Sequence, residues 1–414
     1  MIPASFINSR RVCVSSALPL LPHQAYVGLQ VLDLSQGIAG PYCAQILQQL
    51  GASVVKVEPR EGDWSRSIGL AREHMSAIAM AFNRGKRSLA CDARHPEGRH
   101  IIARLAQRAD VVIQSFRPGV AERLGLGYDA LQQANPGVIY VSVSGFGLSG
   151  PYARRPATDA IVQAVSGMTM VNRPPEGLPT TAKPYVGDIS CGLYAANLTG
   201  AALFARERSA SKRGTHLEVS LLACLMALQN YLLIDQAWRD GASATPGTVP
   251  QGVFRTADGH VVLAAMSDAM FATIGDAIGQ PQWRTDPRLR SAADRLAAAA
   301  EIQALVTAAL REHTTDHWTS VFADADVLFA RVQTLDELLH DPQVQQQGLL
   351  QAMPRPGHAG ALPFVGLPGV TPGPDAASAQ APGLGQHTLA ILQELDYDAA
   401  RIAQLRDDGV IAAL

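Results

Sequence analysis

The chain has 414 residues, 47% of them hydrophobic and 17% charged, with a formal net charge of −2. That composition supports a large buried core in one large or two moderate domains. The near-neutral balance, with no basic block, argues against nucleic-acid binding, and no apolar run reaches the length that spans a bilayer.

Residues 1–27 stand apart: they hold Arg10, Arg11 and several serines but no acid. They are expected to be a disordered extension, and Ser15–Pro22 is too short and proline-broken for a secretory signal. From residue 28 the pattern becomes regular. Leu29–Leu34 reads as a strand, Gln36–Pro41 as a glycine-bearing turn, Pro41 onward as a helix closed by Gly51, and Ser53–Val57 as a second strand. A dinucleotide-binding fold has the same outline, but Gly37 and Gly40 do not make G-x-G-x-x-G, so a nicotinamide site is weakly supported. Leu89–Cys91, Asp110–Gln114 and Val138–Ser144 continue as strands, with Glu97–Arg108 a helix and Val120–Leu124 a helical turn between them. Strands alternating with helices predict an α/β fold with a mostly parallel sheet, whose ligands collect at the carboxyl ends of the strands.

The polar punctuation falls at those ends, in Glu58–Asp63, Asn83–Ser88, Ser115–Gly119 and Ser144–Gly147. The next long element, Ile189–Arg208, reads as a helix of about five turns with cations at its C-terminal end. Asp188, behind Gly187, is expected at its N-cap, where the helix dipole would keep the carboxylate ionised.

In the second half, Val253–Ala264 reads as a hairpin turning at Asp258-Gly259. Residues 269–318 are helical in pattern, and Pro354–Pro382 reads as an extended segment. His313 and His317 have i, i+4 spacing but not H-E-x-x-H order, so a metal pair is not expected. The five cysteines, Cys13, Cys43, Cys91, Cys191 and Cys224, are scattered without C-x-x-C spacing. They read as reduced thiols of a cytoplasmic protein without structural zinc.

Taken together, Gly-Ile-Ala-Gly-Pro41, Lys56-Val-Glu-Pro, Asn83-Arg-Gly-Lys-Arg-Ser, Ser115-Phe-Arg-Pro-Gly, Ser144-Gly-Phe-Gly, Gly187-Asp188, Thr334-Leu-Asp-Glu-Leu, Asp341-Pro-Gln-Val and Leu384-Gly-Gln-His-Thr388 occur in the order of the class III CoA-transferases. The chain resembles this group, which includes formyl-CoA transferase and carnitine CoA-transferase, from about Leu29 to its C-terminus. The resemblance implies a Rossmann-like large domain over 28–224, a smaller α/β domain over 225–330, and a linker and C-terminal segment over 331–414 that returns to the large domain. It also implies an interlocked homodimer. Asp188 matches the family's nucleophile, which passes through a mixed anhydride and an aspartyl-CoA thioester, and Gly187 would let backbone approach the reacting carbonyl. Arg60 and Arg123 match positions that touch the nucleotide of coenzyme A, with Asn83, Lys86 and Arg87 close by. Ile38 matches a substrate-side position, and Phe116 stacks or packs nearby. Acyl-CoA and a free carboxylic acid are the implied substrates, with no permanently bound cofactor and no metal. Ser115, Thr158, Leu221–Cys224 and Asp326–Ala330 depart from the family's usual residues and leave the acyl pocket open. The sister α-methylacyl-CoA racemases carry a His where Thr158 stands before Asp159, and racemisation needs a second base. A catalytically silent acyl-CoA-binding relative is the third reading.

Overall fold

Strands form where the apolar, β-branched runs fall, and the turns between them carry the polar motifs. A computed structural model describes residues 22–72, 75–174, 177–240, 247–323, 325, 327–354, 360–371, 373 and 379–413. The chain divides into two compact units, one of Met1–Asn230 with Leu349–Leu414 and the other of Tyr231–Gly348. Most of the expected N-terminal extension lies outside the described residues. Its last part is folded: Pro22–Gln24 makes a 3₁₀ turn and the Tyr26 N–H donates to Leu50 O at 2.8 Å.

In the first unit, β1 (Gln30–Asp33), β2 (Ser53–Glu58), β3 (Arg87–Cys91), β4 (Val111–Gln114), β5 (Ile139–Ser144) and β6 (His216–Ser220) pair in parallel. The short β7 (Ile411–Ala412) closes the β3 edge antiparallel, giving the order β7-β3-β2-β1-β4-β5-β6. Val31, Leu32, Val54, Val111, Val112 and Ile113 are all buried, as expected of parallel strands covered on both faces. One face carries α1 (Ala39–Gln49), α2 (Asp159–Val165), α3 (Val186–Arg208) and α4 (Leu221–Leu228). The helix Pro96–Arg108 and the C-terminal helices Thr388–Glu394 and Ala399–Asp407 pack on the other. Strand order reverses between β1 and β4, and such a crevice at the carboxyl ends is where ligands of open α/β sheets bind.

Helix α3 sets the polarity of the site. Near its C-terminus, the Arg206 guanidinium donates to Gly137 O and to the Asp110 carboxylate, both at 2.9 Å, just ahead of β5 and β4. Its N-terminus therefore lies at the opposite, carboxyl edge of the sheet. The helix begins at Val186 rather than Ile189, because Pro184 and Tyr185 break the preceding chain and Tyr185 takes a left-handed conformation (φ 45°, ψ 51°). Asp188 is consequently the third helical residue and not the N-cap.

The second unit has its own core. The strands Gln251–Arg255, His260–Ala264 and Leu328–Arg331 form an antiparallel sheet, covered by helices that bring Phe271, Trp283, Val306 and Trp318 onto Val261 and Leu263. The expected hairpin turn is held by Thr256, whose hydroxyl accepts from the Gly259 N–H at 2.9 Å. His313 and His317 stack on each other, 4.1 Å between ring centroids, beside Trp318. Residues 241–246, ahead of the first of these strands, lie outside the described residues.

Candidate active site

Asp188 is half-buried in the first turn of α3. The carboxylate that caps this turn belongs to Asp159, at the start of α2: its Oδ1 accepts the Gly187 N–H at 2.7 Å and the Asp188 N–H at 3.0 Å. A Cβ on Gly187 would lie 2.8 Å from that oxygen, so glycine is what permits the approach. Burial, reinforced by the negative charge of Asp159, pushes the Asp188 carboxyl up to about 7. This corrects the expectation that the helix start keeps Asp188 ionised: its amides are turned to another carboxylate, and that carboxylate repels charge on Asp188. The neighbouring loop is tight as well, since a Cβ on Gly145, after β5, would overlap Ala157 just ahead of α2. One turn along α3, a Cβ on Gly192 would meet Ala39 O at 2.8 Å. That close crossing seats the first turns of α3 against the start of α1, next to the first βα turn, where Ile38 is buried.

At the same edge of the sheet, a cavity of about 320 Å³ opens beyond the ends of β1 to β4, lined by Arg60, Asp92, Arg94, Phe116, Val120 and Leu124 among others. Its edge carries unused positive charge. Arg60, Arg117 and Arg123 are exposed, and no other described residue forms an ion pair or hydrogen bond with their guanidinium groups. Phe116 is half-buried, with its N–H donated to Gln114 Oε1 at 2.7 Å. Arg60 and Phe116 thus share one cavity with Arg123 close to its rim, while Asp188 is not in its lining.

Of the remaining expected contacts, Lys86 and Asn83 belong to a buried ionic framework and Arg87 forms a more exposed ion pair. The Lys86 ammonium donates to Asp33 Oδ2 (2.9 Å), Pro41 O (2.8 Å) and Asn83 Oδ1 (3.0 Å), and its side chain is fully buried. Asn83 Nδ2 donates to Ala79 O at 3.1 Å. Arg87 holds Glu394 through two hydrogen bonds, of 2.9 and 2.7 Å. The three N–H groups of Lys86 are thus all taken up inside the protein, whereas the amide of Asn83 and the partly exposed guanidinium of Arg87 keep N–H groups beyond those bonds. Lys56 joins the framework by donating to Ser35 O (2.8 Å) and pairing with Asp63 (2.9 Å), while Glu58 takes a two-pronged contact from Arg66 (2.6 and 2.7 Å). Burial, offset in part by Asp33, brings the Lys86 ammonium down to about 8, with the Lys56 charge acting in the same direction.

The sequence model of CoA-transferase family III matches residues 26–388. The succinate–glutarate CoA-transferase of Agrobacterium fabrum is 34% identical over 384 residues, covering 89% of this chain and 95% of its own. The succinyl-CoA:glutarate CoA-transferase of Mus musculus is 32% identical over 400 residues, covering 93% and 89%. Among solved structures, a CaiB/BaiF family protein from Brucella suis superposes with a TM-score of 0.79 at 30% identity, covering 89% of this chain and 99% of its own.

Proposed function

Because the chain belongs to CoA-transferase family III, we propose that it moves coenzyme A from an acyl-CoA thioester to a free carboxylate, with Asp188 as the nucleophile. The observation that carries this reading is the half-buried Asp188 carboxyl in the first turn of α3, at the carboxyl edge of the sheet. In the first step an Asp188 oxygen attacks the thioester carbonyl, the C–S bond breaks, and CoA leaves as thiolate from a mixed anhydride. The thiolate then attacks the aspartyl carbonyl and expels the donor acid as its carboxylate, leaving an aspartyl-CoA thioester. The acceptor carboxylate repeats the two steps in reverse and regenerates Asp188. One carboxylate enters and one leaves, so the cycle needs no ATP, metal or net proton transfer. A carboxyl titrating near 7 is a more basic nucleophile than an ordinary aspartate, provided it is ionised. Turnover should therefore rise with pH through about 7.

The cavity at the ends of β1 to β4 suits the nucleotide end of coenzyme A, with Phe116 for the base and Arg60 and Arg123 for phosphates. Arg60→Ala and Arg123→Ala should each raise KM for the CoA ester by the equivalent of roughly 1.5–3 kcal/mol. Their unfolding should be unchanged, because neither guanidinium holds the fold. An unaltered KM in both variants would place the phosphates elsewhere. Ile38, Gly187 and the loop of Ser144–Gly147 are the nearest candidates to line the acyl side.

A homodimer is the expected working form. One face of α3 leaves Leu193, Tyr194, Leu198 and Phe204 exposed, and α2 and α4 add Ile161, Val165, Met226 and Leu228. Apolar surface of this extent marks an interaction site. Light scattering at micromolar concentration should give twice the chain mass, and a stable folded monomer would contradict the assignment. Incubating the protein with a panel of acyl-CoAs and carboxylic acids, and reading new CoA esters by mass spectrometry, tests the activity itself. If no ester exchanges its acyl group across a broad panel, the reading fails.

A further inference from the structure

We propose that Asp159 is a positioning residue for the reaction: its carboxylate, gripped by Gln163, fixes the first turn of α3 and sets a like charge against the nucleophile. The proposal rests on the reading of Asp188 as that nucleophile. Asp159 and Gln163 stand one turn apart on α2, and both are buried. The Gln163 amide donates to Asp159 Oδ2 and to Ala182 O (3.1 Å), and its Oε1 accepts the Ala182 N–H at 2.8 Å. Asp159 in turn takes the N–H groups of Gly187 and Asp188 on its other oxygen. Two side chains thus tie down both ends of the short passage from Ala182 to Asp188 that leads into the catalytic helix. Two of the orphan amides of that helix are satisfied by a charge.

The same contact has an electrostatic consequence. Elements packed on α3 carry several titratable groups: Tyr42 and Cys43 on α1, Asp159 on α2 and Cys224 on α4 share its side of the sheet, with Cys191 on α3 itself, while Tyr140 on β5 and His216 on β6 pack together on the opposite face and Glu218 lies beside His216. Lys183, in the segment ahead of the helix, is exposed. After burial, Asp159 is the group whose charge raises Asp188. A carboxylate placed there for capping alone would be interchangeable with a neutral acceptor. One placed to tune the nucleophile is not, since its charge raises the basicity of the oxygen that attacks.

The test separates charge from grip. Asp159→Asn keeps an acceptor for the two N–H groups but removes the charge. Gln163→Met keeps the charge but releases Asp159 and Ala182. With the dimeric enzyme and a CoA ester that it turns over, the acid limb of kcat/KM should lie near 7 in the natural protein and about one pH unit or more lower in Asp159→Asn. Gln163→Met should leave the limb in place and lower kcat about tenfold or more through misplacement. Asp188→Asn, run alongside, reports on the nucleophile separately. If it is inactive while Asp159→Asn keeps the native limb, or Gln163→Met the native kcat, this proposal is overturned and the assignment of Asp188 stands. If Asp159→Asn does not fold, ¹³C titration of aspartate-labelled natural protein, assigned against Asp188→Asn, takes its place. An Asp188 carboxyl titrating near 7 whose signal also responds to the ionisation of Asp159 supports the proposal, and one titrating below about 5, or one that does not respond to Asp159, overturns it.

Discussion

Asp188→Asn should lose CoA transfer by at least about a thousandfold and, at pH 8, should be harder to unfold than the natural protein. The kinetic half follows because an amide carries no charge and makes a poor nucleophile. The stability half follows from the site. Burial and Asp159 raise the Asp188 carboxyl from an ordinary 3.8 to about 7 in the folded chain. The folded state then binds more protons than the unfolded state between those values, so stability falls as pH rises from about 4 through about 7. Above that range the folded protein carries the full cost of a charge that it disfavours. The asparagine variant does not carry it, and the gain at pH 8 should be about 1–2 kcal/mol, discounted for the partial exposure of the group. At pH 4 the gain should vanish. Urea unfolding at the two pH values measures it, and a variant less stable at pH 8 than the natural protein would contradict the electrostatics of the site.

Lys86→Met should destabilise the protein by about 3–5 kcal/mol, because it leaves Asp33 buried without its principal partner. Asp33 is held below its ordinary value against the cost of burial by the charges of Lys86 and Lys56 and by the Ser35 hydroxyl. The Pro41 carbonyl and the Asn83 amide oxygen also lose their donor. Without Lys86 the folded Asp33 carboxyl titrates higher. The deficit should therefore be largest at neutral and alkaline pH, and should shrink below the new value as Asp33 takes up a proton. A phosphate-binding lysine would behave differently, with a raised KM for the CoA ester and nearly unchanged unfolding. Denaturant melts beside KM measurements decide between the two, and a stability loss under about 1 kcal/mol would remove Lys86 from the framework.

The parallel sheet was legible because its strands announce themselves: buried parallel strands are nearly continuous apolar runs, and each is closed by a polar, glycine-bearing turn. The start of α3 was not. The helical pattern of Ala and Leu fixed its body, whereas its first residue depends on Pro184 and the left-handed Tyr185. Its cap arrives from Asp159, 28 residues earlier in the chain. No local periodicity reports a contact of that separation.

The ionic framework left a signal that can be read afterwards. Asp33 and Lys56 each sit next to buried apolar strand residues, Val31 and Leu32 in β1 and Val54, Val55 and Val57 in β2, and a charge there must find a partner of opposite sign. The motif residues Lys86, Asn83 and Glu58 resemble loop-borne ligand contacts in sequence, yet the fold turns them inward to hold β1, β2, β3 and the start of α1 together. Arg60, Arg117 and Arg123 are set apart from them by exposure alone, and exposure is a property of the packed chain.

The central claim is a covalent one, and a chemical trap tests it most directly. Hydroxylamine added while the protein exchanges an acyl-CoA with a free acid attacks an activated aspartyl carbonyl and leaves a hydroxamate. Peptide mass spectrometry should then find that modification on the peptide containing Asp188, dependent on acyl-CoA and absent from Asp188→Asn. Brisk transfer by Asp188→Asn, with no modified peptide in the natural protein, would contradict the mechanism.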